Sequence, residues 1–165
     1  VMVRGRALLL GDAVSTDAII AGKHCRTADP GRLAPHALEG ALPAGRRLSG
    51  RVIVAGLNFG VGSSREQAPM ALKAAGVQAI VAGSFGRIFF RNAVNVGLPV
   101  LRCPGARKAV REGERVLVDL SAGTLRCGRG RRVLDGERLP RFMMDILEDG
   151  GLVPHTRRRL PHGKA

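Results

Sequence analysis

Arg51-Val52-Ile53-Val54-Ala55-Gly56-Leu57-Asn58-Phe59-Gly60-Val61-Gly62-Ser63-Ser64-Arg65-Glu66-Gln67-Ala68 is the stretch whose reading decides the fold. Its first five residues form a short apolar run rich in β-branched side chains, the pattern of a strand buried on both faces. Gly56 to Gly62 then make a glycine-bearing loop, and a helix is expected from Ser64 to Ala75. Pro69 falls beyond the first turn of a helix begun at Ser64, so some distortion is expected there.

The same rhythm continues downstream. Gln78 to Ala82 reads as a strand, Arg87 to Asn95 as a helix and Leu98 to Leu101 as a strand, a β-α-β-α-β series whose strands should pair in parallel. Upstream, Val3 to Leu10 reads as the opening strand, and a helix is expected over Pro30 to Leu38 with Asp29 as its N-cap. Beyond Glu114 the pieces Val116-Leu117-Val118, Thr124-Leu125 and Arg132-Val133-Leu134 are separated by glycines and read as antiparallel strands. A last helix, Arg141 to Asp149, should end at Gly150-Gly151. The fold class is therefore α/β, with parallel strands, flanking helices and short antiparallel strands.

Length and composition suit one domain. The 165 residues are 45% hydrophobic, with 23 glycines, five phenylalanines and neither Trp nor Tyr, so the core must be built from Val, Ile, Leu and Ala. The formal charge is +14, which admits a polyanion, an acidic protein or small anionic substrates as partners. Arg157, Arg158 and Arg159 lie in a basic terminus that reads as a flexible tail over 154–165. A nucleic-acid-binding module is the rival from another functional class, but aromatics that could stack on bases are missing beside these arginines. Cys25, Cys103 and Cys127 show no metal-ligand spacing, which favours free thiols in a reducing cytoplasm over a cluster held by this chain. No metal ligand set, signal peptide or membrane span is read in the sequence.

The strand-to-helix turn carries the chemistry. Its glycines let backbone approach a ligand, helix N–H groups favour an anion, and Arg65 can grip a carboxylate through two parallel hydrogen bonds. The plain alternative is that Ser63 or Ser64 only caps the helix, with Glu66 or Gln67 completing a capping box. A phosphate loop fits less well, since the G-x-x-x-x-G-K-[ST] pattern is absent.

Asn58 to Ala68 resembles the N-F-G-x-G-S-S-R-E-H-A signature of the aconitase-type swivelling domain. Ala82-Gly83-Ser84-Phe85-Gly86-Arg87-Ile88-Phe89-Phe90-Arg91-Asn92-Ala93-Val94-Asn95-Val96-Gly97-Leu98-Pro99 is similar to a second segment typical of 3-isopropylmalate dehydratase small subunits. Gly11-Asp12-Ala13-Val14-Ser15-Thr16-Asp17-Ala18-Ile19-Ile20 is similar to a third. The resemblance implies a β/β/α swivelling domain over 1–153 and a hydro-lyase that moves a hydroxyl between neighbouring carbons of a malate-type acid, with 3-isopropylmalate of leucine biosynthesis as the first substrate expected and homoaconitase-like or citramalate- and dimethylmalate-type acids as the alternatives. It makes Ser63 the base that takes the carbon-bound proton, Ser64 and Arg65 the substrate-carboxylate ligands, and Thr16, Asp17, Asn58, Gly60 and Gly62 supporting residues. Lys23-His24-Cys25-Arg26-Thr27 resembles the loop that reads the substrate's third-carbon group, so Arg26 and Thr27 join the substrate-binding set. Arg26 there would favour a small or carboxylated group, unless it points to solvent or pairs with Asp29. No cofactor is implied on this chain. A [4Fe–4S] cluster is implied on a large-subunit partner, in a heterodimer or heterotetramer acting on a small di- or tricarboxylic acid. Val61 and Gln67 depart from the cysteine and histidine usual at their positions, and Gln67 cannot carry a proton at neutral pH.

Overall fold

The computed structural model describes residues 1–160. A mixed seven-stranded sheet runs in the order β4-β3-β2-β1-β5-β6-β7. Its parallel half is β1 (Met2–Leu9), β2 (Arg51–Ala55), β3 (Ala79–Ala82) and β4 (Val100–Arg102), with Leu8 beside Ile53, Ile53 beside Ile80 and Ile80 beside Val100. Helices cover these strands, which is why Val52 through Ala55 and Ala79 through Ala82 are fully buried and read as continuous apolar runs. The antiparallel half is β5 (Arg115–Asp119), β6 (Thr124–Cys127) and β7 (Arg132–Asp135), with β5 paired to β1. Val116 and Val118 alternate with more exposed residues, the period-two pattern of a sheet with one wet face.

Among the described residues, seven helices and two 3-10 turns differ in instructive ways from the local pattern. After α1 (Thr16–Ile19), the stretch expected as one helix to Leu38 is α2 (Pro30–Leu33) followed by a 3-10 turn, Ala34–His36. Pro35 has no N–H for the Gly31 carbonyl, so the chain tightens instead of continuing. Asp29 does cap α2, accepting the Gly31 N–H at 2.9 Å. The crossover helix expected from Ser64 is α3 (Gln67–Ala74), and it begins three residues later. That start puts Pro69 in the first turn, where a missing N–H costs nothing, so the expected distortion has no cause.

The second crossover is α4 (Arg87–Val96), and a short α5 (Ala106–Ala109) follows β4. Helix α6 (Arg141–Glu148) buries Met144 and Leu147 and ends at the glycine pair as read. The basic tail expected from residue 154 is instead helical to Arg159, in α7 (Leu152–Arg159). Asp149 holds it: its carboxylate pairs with His155 at 2.7 Å and with Arg158. Residues 161–165 of the expected tail lie outside the described residues.

Candidate functional site

The loop after β2 is stitched between two neighbouring loops, and that fixes where its polar residues stand. Asp12 accepts the Leu57 N–H at 2.7 Å, Val14 accepts from Gly60 at 2.7 Å, and the Thr16 N–H donates to Val61 at 2.8 Å. From the other side, Phe59 donates to the Ser84 carbonyl at 3.0 Å and accepts from Gly86 at 2.8 Å. Phe59 is wholly buried and meets Phe89 edge-on at 5.3 Å, a peg that anchors the turn in the core. Asn58 takes φ 57°, a left-handed conformation asparagine tolerates, and its N–H donates to the Ser84 hydroxyl at 2.8 Å. Gly60 and Gly62 sit at φ 78° and 110°, and Gly62 packs over the buried Thr16.

Past Gly62 the chain is open to ligand. Ser63 and Ser64 are exposed, and among the described residues neither hydroxyl has a hydrogen-bond partner. Glu66 occupies the N-cap position of α3 without a side-chain cap bond, so the capping reading of the two serines is overturned. Among the described residues, the backbone N–H groups from Gly62 through Glu66 also have no acceptor. A run of unused N–H groups beside a guanidinium is an anion-binding arrangement.

Arg65 is held in place. Its Nη1 donates to the Asp17 carboxylate and, at 3.0 Å, to the Ile20 carbonyl. The hydrogen bond and charge of Arg65 hold the Asp17 carboxyl below the usual carboxylate range, so Asp17 stays ionised and acts as the arginine's tether. Gly22 lies against Nη2, so the loop from Gly22 to Thr27 is brought up to Arg65. Gln67 Nε2 donates to the Cys25 carbonyl at 3.3 Å and ties that loop to the start of α3, a bond needing no titratable group. Thr27 accepts the Asp29 N–H at 3.0 Å. Arg26 is exposed and forms no ion pair among the described residues, and the Asp29 carboxylate caps α2 instead of pairing with it.

Sequence reasoning missed two residues. A cleft of about 480 Å³ is lined by Gly60, Val61, Gly62, Gly86, Arg87, Ile88 and Arg91. Arg87 and Arg91, one helical turn apart at the start of α4, give it a positive wall. The signal was present in the i, i+4 spacing after Gly86, but only the Phe59 to Phe85 bridge brings that turn beside Gly60. Two larger clefts, of about 700 and 910 Å³, lie away from the turn and are rich in arginine, with Arg6, Arg115 and Arg129 common to both.

The thiols do not fit a cluster. Cys103 and Cys127 are buried, burial pushes the Cys103 thiol up to about 11 and raises that of Cys127, while Cys25 stands in the Gly22 to Thr27 loop. A cluster needs thiolates, and these two side chains favour the protonated form. No helix among the described residues is long and apolar enough to cross a membrane.

Known proteins share the whole framework. The Aconitase C-terminal domain family matches residues 45–105, which carry β2, the turn, α3, β3, α4 and β4. The chain is 49% identical over 162 residues to the 3-isopropylmalate dehydratase small subunit 1 of Methanopyrus kandleri, covering 97% of this chain and 95% of that one. It is 43% identical to the isopropylmalate/citramalate isomerase small subunit of Methanocaldococcus jannaschii, covering 96% of each. The crystal structure of 3-isopropylmalate dehydratase from Methanocaldococcus jannaschii superposes with a TM-score of 0.84 at 39% identity, over 96% of this chain and 95% of that one.

Proposed function

This chain belongs to the family of 3-isopropylmalate dehydratase small subunits, and on that premise we propose that the turn from Gly62 to Glu66 is its contribution to a shared active site. The protein is the small subunit of a hydro-lyase of the 3-isopropylmalate dehydratase kind, acting with a large subunit. The family does not favour the nucleic-acid alternative, and part of the basic run it relied on is paired with Asp149.

Ser63 is the base. As an alkoxide it takes the proton from the carbon next to the hydroxyl-bearing one, and the C–H electron pair forms the alkene as hydroxide leaves. Rehydration returns the Ser63 proton to one carbon while hydroxyl joins the other. A serine hydroxyl is a weak acid, so this role needs donors that stabilise its anion. The unpartnered N–H groups from Gly62 through Glu66 and the Arg65 guanidinium supply them. Ser64 and Arg65 hold one substrate carboxylate, with Asp17 and the Ile20 carbonyl keeping Arg65 in position. Arg87 and Arg91 give the adjoining cleft the charge to take a di- or tricarboxylic acid. The thiols of this chain leave a [4Fe–4S] cluster to the large subunit, where it would supply a Lewis acid for the departing hydroxyl. Free thiols suit a reducing compartment such as the cytoplasm. Residues 1–153 form the swivelling domain, and the part of α7 beyond residue 153 is its basic terminal extension.

Substrate choice rests on Arg26. An isopropyl group seated against an unpaired guanidinium strips its hydration without a replacement bond, whereas a carboxylate makes a charge-assisted pair. We read the loop as favouring small or carboxylated third-carbon groups.

The single observation that carries the assignment is the open turn, with hydroxyls and N–H groups unused among the described residues and Arg65 fastened beside them. Reconstitution tests it. The purified chain alone should be inactive, and turnover, followed by the ultraviolet absorbance of the alkene, should appear on adding a cluster-bearing large subunit. Turnover by the isolated chain, or none in a complex that forms, would overturn the division of labour.

A further inference from the structure

Away from Ser63, two imidazoles and one carboxylate converge on a point that the dehydration chemistry does not use. His24 Nε2 lies 3.1 Å and His36 Nδ1 3.2 Å from the same oxygen, Glu39 Oε2. The two rings stack with centroids 3.6 Å apart and planes 10° from parallel. All three ligand atoms lie within 4.8 Å of one another. In a tetrahedral site with metal–ligand bonds of about 2.0–2.1 Å, neighbouring ligand atoms are roughly 3.3 Å apart. The nitrogen–oxygen separations here are already close to edges of such a shell.

The backbone sets up this convergence. His24 ends the 3-10 turn Gly22–His24 and His36 ends the turn Ala34–His36. Between His36 and Glu39, Leu38 takes φ 60°, is 1% exposed, and donates its N–H to Ile19 at 2.7 Å, so the chain reverses about a buried anchor. His24, His36 and Glu39 side chains are 19%, 37% and 51% exposed, open enough for an ion to enter and keep water.

We propose that His24, His36 and Glu39 bind a divalent transition-metal ion of the Zn²⁺ class, with water completing the shell. Two imidazoles and a carboxylate select Zn²⁺, Co²⁺ or Ni²⁺ over Mg²⁺ and Ca²⁺, which prefer all-oxygen sites. The ion ties His24 to His36, and the segment it closes carries Arg26 and Thr27. It thereby works as a clip that restricts the substrate-reading loop, a structural role independent of the chemistry assigned to Ser63.

The test uses the full, tag-free chain stripped of metal by chelator and then dialysed. Co²⁺ is titrated while visible absorption reports low-coordinate binding, and Zn²⁺ is titrated by calorimetry. One ion per chain is expected. Glu39→Gln and His36→Ala should each weaken binding by more than about tenfold, whereas Cys25→Ser and the double variant His155→Ala, His162→Ala should leave it unchanged. Circular dichroism checks that each variant is folded. If His36→Ala is not, Glu39→Gln, which keeps shape and hydrogen bonding, decides alone. Proteolysis between residues 24 and 36 should slow when Zn²⁺ is added to the wild type only. Absence of saturable Co²⁺ or Zn²⁺ binding overturns the proposal, as does undiminished affinity in folded Glu39→Gln, or affinity that disappears in Cys25→Ser.

Discussion

Replacing Gly60 with alanine should damage the site through the core beneath it. Gly60 stands at φ 78°, and a methyl built there would lie 2.2 Å from Phe89 Cγ and 2.5 Å from Phe89 Cβ. Carbon atoms at rest stay about 3.5–4.0 Å apart. Phe89 is 2% exposed and packed edge-on against Phe59 at 5.3 Å, so it has little room to retreat. The left-handed backbone costs a side-chain-bearing residue about 1–2 kcal/mol, and overpacking adds about 1–3 kcal/mol. The sum, about 2–5 kcal/mol, is a large share of the roughly 5–15 kcal/mol that holds a domain folded. Gly113→Ala separates the two contributions, because Gly113 has φ 74° with nothing within 4 Å of the added methyl. It should lose only the backbone part. With neither Trp nor Tyr in the chain, urea unfolding is followed by far-ultraviolet circular dichroism. The Gly60 variant should be less stable than the Gly113 variant by about 1–3 kcal/mol. Equal stabilities would refute the claim that Phe89 buttresses the turn.

Arg65→Lys keeps a charge but loses the fork that reaches Asp17, the Ile20 carbonyl and a substrate carboxylate together. At about 1.5–3 kcal/mol for a lost charged hydrogen bond, kcat/KM of the reconstituted enzyme should fall roughly 10- to 150-fold in a complex that still assembles. Arg26→Val should move the kcat/KM ratio toward isopropyl over carboxylated substrates by roughly tenfold or more. An unchanged ratio would place Arg26 outside the substrate pocket. Cys103, pushed up to about 11, and Cys127, also raised, stay protonated and shielded below pH 8. A disulfide reagent at that pH should therefore find one fast thiol, Cys25, in the native chain and all three after unfolding, and three fast thiols in the native chain would contradict this burial.

The fold was legible where local and tertiary demands agree. Arg51 to Ala55 is a strand to the residue, because its burial on both faces leaves an uninterrupted apolar run between glycines. The helix after it was placed too early because Ser63 with Glu66, and Ser64 with Gln67, imitate a capping box. Arg65 is instead drawn toward Asp17 and Ile20, and the chain leading into Gln67 stays out of the helix. Helix α7 escaped notice because its arginines carry little apolar periodicity and its hold on the domain comes from Asp149. The motif exposed Ser63, Ser64 and Arg65. Arg87 and Arg91 join them only through strand order, and His24, His36 and Glu39 meet only because Leu38 turns the chain back.

The central claim is that Ser63 takes the proton, and Ser63→Ala in the reconstituted two-subunit enzyme tests it most directly. The hydroxyl is exposed and has no partner within the described chain, so its removal should leave unfolding and subunit association unchanged. What should disappear is proton removal from carbon, measured as exchange of the substrate's carbon-bound proton with deuterated water alongside alkene formation. Loss of general-base catalysis alone is worth about 10²–10⁴-fold, and both rates should fall by at least that much. Exchange and alkene formation within a few-fold of wild type, in a complex that assembles normally, would contradict the assignment.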